Sequence, residues 1–139
     1  MTFLSKALSL SSNRLHGTLP ASLLGLPLSL LNLSSNMFQG RLDDFLSQAA
    51  PTNNSLAMDL SHNALSGPLP ASLFRLGLRV VRLSSNCMSS SLPMEVCSAE
   101  GLQVLALDGL GSGSSCSKSF GSLVKVLRYS HFLQSVCGI

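Results

Sequence analysis

Tryptophan is absent, and charged residues make up only 11% of the 139 positions. Disordered chains need the opposite balance, high charge and few apolar groups, so this chain has the material for a core. Its length suits one domain and not two. The nine Lys and Arg give a net charge of +3 without a dense run. Nucleic-acid binding normally needs a basic stripe or cluster, so that class of partner is not expected. From Arg14 to Arg41 the intervening residues hold no Asp, Glu, Lys or Arg. Even so, Gly17, Pro20, Gly25 and Pro27 punctuate that stretch, and no run of about 18 apolar residues survives to cross a membrane. The opening MTFLSKALSL lacks the long apolar core and small-residue cleavage site of a signal peptide. It reads as the strand of a first unit, so the architecture is expected to be already under way at residue 1, as in a fragment.

What the chain does have is leucine at 30 positions and serine at 27, and both recur in register. Four segments align on one asparagine: ALSLSSNRLHGTLPASL, LLNLSSNMFQGRLDDFL, AMDLSHNALSGPLPASL and VVRLSSNCMSSSLPMEV. The shared positions are Asn13, Asn36, Asn63 and Asn86, spaced 23, 27 and 23 residues apart, with an insertion around AAPTNNS. A fifth unit, LQVLALDGLGS, keeps Leu102, Leu105 and Leu107 but carries Leu110 in place of the asparagine. Self-similarity at this period signals stacked supersecondary units, each unable to bury its apolar face alone.

Each repeated position has a physical reason. Alternate residues of the LxL core (Leu8 and Leu10, Leu31 and Leu33, Met58 and Leu60, Val81 and Leu83, Leu105 and Leu107) point to one side, as a strand requires. The asparagine follows at the bend, where backbone groups lose ladder partners that a buried amide can replace. Gly17, Gly40 and Gly67 are expected to supply a turn. The pairs Leu19-Pro20, Leu69-Pro70 and Leu92-Pro93 force extended geometry before the proline, and a short helical turn is expected after it.

At these residues the chain resembles the plant-type leucine-rich repeat, LxxLxLSxNxLxGxLPxSLxxL, over roughly residues 4–110. The resemblance implies an α/β fold: a right-handed solenoid with a parallel sheet on its concave face and 3-10, short α or irregular segments on its convex face. Residues 1–110 are expected to form the repeats. Residues 111–139 are expected to be a Gly/Ser-rich interruption followed by a helix-like or partial-repeat segment covering the core. The resemblance also implies an extracellular or cell-surface parent whose partner is a protein, a peptide or a glycan, with membrane attachment only through sequence outside this chain. The leading expectation is a non-enzymatic recognition scaffold. The alternatives are a structural or adhesive surface repeat and a secreted inhibitor of microbial wall-degrading enzymes. Departures stand in the second unit, RLDDFL for GxLPxSL, and in the fourth, which has lost its glycine.

Solenoids of this kind often carry a disulfide near the fifth strand, which Cys97 and Cys116 bracket. Their pairing is the expectation for an extracellular parent, and four reduced, buried cysteines are the alternative. Cys87 and Cys137 carry no assignment. Of two sequons, Asn32-Leu33-Ser34 lies on a strand, whereas Asn53-Asn54-Ser55 lies in the insertion, so Asn53 is the expected glycan acceptor.

Outward positions on the strands form candidate rows: Ser9, Asn32, Asp59, Arg82, Ala106; then Lys6, Ser29, Leu56, Arg79, Gln103; then Ser12, Ser35, His62, Ser85, Gly109. The polar constellation Asp59, His62, Arg79 and Arg82, with Asn32 and Gln103 beside it, is the candidate ligand-binding face. Arg supplies the anchors and His62 is a proton-sensitive neighbour. Asp59 and Arg82 should be adjacent and able to pair, and an otherwise solvated sheet face is the competing reading. No catalytic site, metal site or cofactor is expected. There is no G-x-S-x-G elbow, GSGSSCSKS lacks the glycine before lysine of a phosphate loop, and His16, His62 and His131 share no ligand spacing with the cysteines.

Overall fold

Every LxL core becomes one short strand, and a second strand follows the bend in each of the first four units. In the computed structural model, residues 6–52, 55–88, 92–108, 127–128 and 137 are described. In chain order the elements are β1 (Ala7–Ser9), β2 (His16–Thr18), β3 (Leu30–Asn32), β4 (Met37–Arg41), α1 (Leu42–Leu46), β5 (Leu56–Asp59), β6 (Ala64–Gly67), β7 (Leu78–Arg82), β8 (Cys87–Met88), β9 (Val104–Ala106) and β10 (Leu127–Arg128). Three 3-10 turns complete the set: Ala21–Gly25, Ala71–Arg75 and Met94–Ser98.

The first sheet has the order β1-β3-β5-β7-β9-β10, and the second β2-β4-β6-β8. All pairings are parallel except β10 with β9, which is antiparallel. Parallel neighbours need long crossovers, and the 23-residue unit supplies them by travelling through the second sheet and a helical turn. Leu8, Leu31, Met58, Val81 and Leu105 stand in register, and the last four are at most 2% exposed. The core is therefore a column running along the stack, flanked by Leu33, Leu60, Leu83 and Leu107.

The asparagines bind the units together. Asn36 donates from Nδ2 to the carbonyls of Leu33 and Ser34 in its own unit and of Leu10 in the unit before. Its Oδ1 accepts the Leu15 N–H at 3.0 Å. Asn63 repeats this with Leu33, Leu60, Ser61 and the Phe38 N–H, and Asn86 with Leu60, Leu83 and the Leu65 N–H. Asn13 is exposed and donates only to Leu10 and Ser11 of its own unit.

The bend differs from the sequence expectation. Gly17, Gly40 and Gly67 do not form turns; they lie inside β2, β4 and β6 with φ of +87°, +99° and +83°. A Cβ on Gly40 would stand 3.0 Å from Thr18 Cγ2, and one on Gly67 3.2 Å from Arg41 Cγ. These glycines bring the second-sheet strands together at left-handed backbone positions, where other residues are strained. The turn itself falls on the residue before each asparagine: Ser12, Ser35, His62 and Ser85 have φ near +57°.

Prolines set where each helical turn begins. Pro20, Pro70 and Pro93 are extended N-caps of the 3-10 turns. The second unit has Asp43 where the others have proline, and there the helix α1 starts earlier, at Leu42, with Arg41 as its extended N-cap. Leu42, Phe45 and Leu46 are buried, so the departure from the repeat still fills the same core.

One expectation for the C-terminal part needs correction. Cys97 pairs with Cys137, across a Cα–Cα distance of 5.7 Å, and not with Cys116, which lies outside the described residues. Both partners pack against the hydrophobic core. Spacing along the chain carries no information about the approach a disulfide requires, which is why the nearer cysteine misled. Cys87 is also disulfide-bonded. Of the segment expected as helix-like or a partial repeat, Leu127 and Arg128 are strand, opposite Leu105 and Val104. An antiparallel partner thus covers the last edge of the first sheet.

Candidate functional site

The first sheet positions the candidate residues. Ser9, Asn32, Asp59, Arg82 and Ala106 are in register, as the repeat alignment predicts. Arg82, Arg79, His62 and Gln103 are exposed, and Asn32 and Asp59 partly buried. Ala106, expected outward, is 2% exposed, in the strand that β10 flanks. In the second row Leu56 is likewise buried, opposite Leu78. A register shift between Leu56 and Ala57 leaves Arg79 without a Cα partner on β5. On its other side Arg79 accepts the Gln103 N–H at 2.8 Å, so those two residues are neighbours.

Asp59 and Arg82 are adjacent but form no ion pair. Asp59 Oδ1 instead accepts from the Ser61 N–H at 3.0 Å and the Ser61 hydroxyl at 2.6 Å. A bond two residues along the chain costs less side-chain ordering than holding a long arginine in one place. Asn32 makes the same turn with Ser34, at 3.1 and 2.6 Å. Among the described residues the ion pairs are Arg41–Asp43 and Arg75–Glu95, neither on this face. Arg79 and Arg82 are therefore exposed cations without a carboxylate within 4.0 Å among the described residues. His62 sits at the left-handed bend, its N–H donating to Ser84 and its carbonyl accepting from Asn36.

One row escaped the sequence reading. Ala7, Leu30, Ala57, Val80 and Val104 are in register immediately before the inward column, on the same side as the row of Asn32, Asp59 and Arg82. Leu30 is 38% exposed, and Val80 and Val104 are partly exposed. Their signal was present in the sequence: the residue before each inward LxL leucine is apolar in every unit. Ala57, in the middle of the row, is buried, so the face carries apolar groups on β3, β7 and β9 beside polar rows, with two arginines on β7.

Among the described residues no group of three His, Cys, Asp or Glu is placed to hold a metal ion. No described helix is long and apolar enough to cross a membrane.

The Leucine Rich Repeat family profile matches residues 6–26 and 56–76. No curated protein sequence matches the chain. Among solved structures, the Arabidopsis receptor kinase HAESA, determined with the peptide hormone IDA and the co-receptor SERK1, is 33% identical with a TM-score of 0.66. That match covers 75% of this chain and 18% of HAESA. The plant peptide hormone receptor RGFR1, in complex with RGF2, is 30% identical with a TM-score of 0.64, covering 75% of this chain and 16% of the receptor. A plant ice-binding protein is 32% identical with a TM-score of 0.52, covering 63% of this chain and 28% of that one. The chain spans under a fifth of the two receptors, and the same architecture serves hormone receptors and an ice binder, so fold alone does not name a ligand. With two stacked parallel sheets, inter-unit asparagine bonds at Asn36, Asn63 and Asn86 and these similarities, the chain is built of plant-type leucine-rich repeats.

Proposed function

We propose that the chain is a non-enzymatic interaction module of an extracellular or cell-surface protein, and that the face of its first sheet binds an extended peptide or protein segment. The observation that carries this reading is the coexistence, on one face, of the apolar residues Leu30, Val80 and Val104 with exposed Arg79 and Arg82 that have no ion-pair partner among the described residues. A segment lying across strands about 4.8 Å apart would meet Leu30, pass over the buried Ala57, and then meet Val80 and Val104. Anionic or carbonyl groups on it would find the arginine forks, which present donors in fixed geometry. Arg is enriched among residues that dominate interface energetics. Receptors of similar structure bind peptide hormones, which agrees with this reading.

The test is selection of peptides from a displayed random library on the immobilised chain, followed by affinity measurement against variants. Arg79→Glu with Arg82→Glu is expected to weaken the selected peptides at least ~30-fold, the equivalent of a ~2 kcal/mol hot spot. Arg75→Glu, on a 3-10 turn, should leave them unchanged. Unchanged affinity in the double variant would remove the face from the reading.

A further inference from the structure

We propose that Asn32 is an N-glycosylation site, so that an oligosaccharide stands on the first-sheet face beside the recognition surface. Asn32-Leu33-Ser34 satisfies the N-x-[ST] acceptor pattern, which alone is a weak signal. The structure adds how the side chain is used. Its Oδ1 accepts from both the backbone N–H and the hydroxyl of Ser34. The acceptor amide and the sequon hydroxyl are therefore already joined in a two-residue turn, a local geometry that needs no tertiary contact. Those two donors also fix which end of the amide is oxygen. Nδ2, the atom that takes the sugar, donates to no partner among the described residues.

Comparison with the other asparagines sharpens the assignment. Asn36 and Asn63 spend both ends of the amide on the ladder, and neither lies in a sequon. The next unit builds the Asn32 turn with Asp59 and Ser61, so this turn uses only the side-chain oxygen, and the in-register Arg82 and Ala106 show that the fold does not need the amide nitrogen. An amide nitrogen there is surplus to the architecture. Space is also available, since the in-register neighbour on one side is the exposed Ser9.

The donor is a lipid-diphosphate-linked oligosaccharide. A bond forms between Nδ2 and C1 of the first sugar while the C1–oxygen bond to the diphosphate breaks. The lipid diphosphate leaves with the electron pair, and the amide proton passes to the transferase. The finished glycan would screen the face over β1 and β3, Leu30 included, and so confine binding to the part from β7 to β9 that holds Val80, Arg79, Arg82 and Val104. Arg82 lies two strand spacings away, about 10 Å, and stays open with Gln103. That consequence rests on the binding reading above; the modification itself does not.

The experiment expresses the full chain behind a secretion leader in cultured human cells, with a C-terminal tag bearing an independent sequon. Peptide mapping after enzymatic deglycosylation in heavy-oxygen water marks each formerly glycosylated asparagine as labelled aspartate. Label at Asn32, lost in Ser34→Ala while the tag stays labelled, is the expected result. Asn32→Asp, which keeps the turn oxygen, should fold with the same cooperative unfolding and lack the label. A labelled tag with unlabelled Asn32 in the parent chain would overturn the proposal, whatever the face proves to bind.

Discussion

Asn63 donates from Nδ2 to the Leu33 carbonyl at 3.0 Å, across 30 residues of chain and one unit boundary. The same amide serves Leu60 and Ser61, and its Oδ1 takes the Phe38 N–H. Removing it orphans several buried backbone groups at once, each costing about 1–3 kcal/mol. Asn63→Ala is expected to lower unfolding stability by about 3 kcal/mol. Asn13→Ala, at an exposed site bonded only within its unit, should cost under about 1 kcal/mol. Urea midpoints at unchanged slope measure both. Equal losses would show that the ladder does not couple units.

Gly17 and Gly67 share the same backbone conformation but not the same surroundings. Ala at Gly17 would meet nothing within 4 Å, whereas Ala at Gly67 would press on Arg41. Gly17→Ala should cost about 1 kcal/mol, for the left-handed φ alone. Gly67→Ala should exceed it, toward about 2 kcal/mol. Thermal unfolding of the two variants, compared at one midpoint temperature, decides the order.

Closing a loop across a separation of 40 residues, the Cys97–Cys137 bond should contribute about 4 kcal/mol through the unfolded chain. Cys137→Ser is expected to lower stability by up to that amount. A non-reducing peptide map of the parent chain should recover Cys97 joined to Cys137; a Cys97–Cys116 peptide would contradict the fold's account of its own C-terminus.

Arg41 holds the Asp43 carboxyl below the usual carboxylate range, chiefly through a two-point hydrogen bond at 3.0 and 2.9 Å and secondarily through its charge. The folded value is depressed, so the pair's contribution is present above the unfolded carboxylate pKa. It is lost as pH falls through the lowered folded value. In an NMR titration Arg41→Gln should raise the Asp43 midpoint toward the ordinary range. Added salt should do the same in part, because the pair is exposed.

Much of this was legible before any coordinates. The unit period, the inward leucines, the ladder asparagines and the register of Ser9, Asn32, Asp59 and Arg82 all follow from in-register repetition, since identical units stack identically. The helical turns after Leu-Pro were legible for the same local reason, proline's own geometry. Less visible were features set by neighbouring units. The glycines gave no hint that they sit in strands of a second sheet, because their role depends on Thr18 and Arg41 one unit earlier.

The sequence by itself determined a stack of leucine-rich units, its periodicity and the inward column of apolar residues, because these depend on the alternation of a strand and on the recurrence of the unit, which no partner can alter. Tertiary structure alone decided which cysteine meets Cys97, that Asp59 turns to Ser61 and leaves Arg82 unpaired, that Ala106 is buried, and that α1 replaces a 3-10 turn without disturbing the core. Those outcomes depend on distances between atoms far apart in the chain, or on competition between a near partner and a distant one.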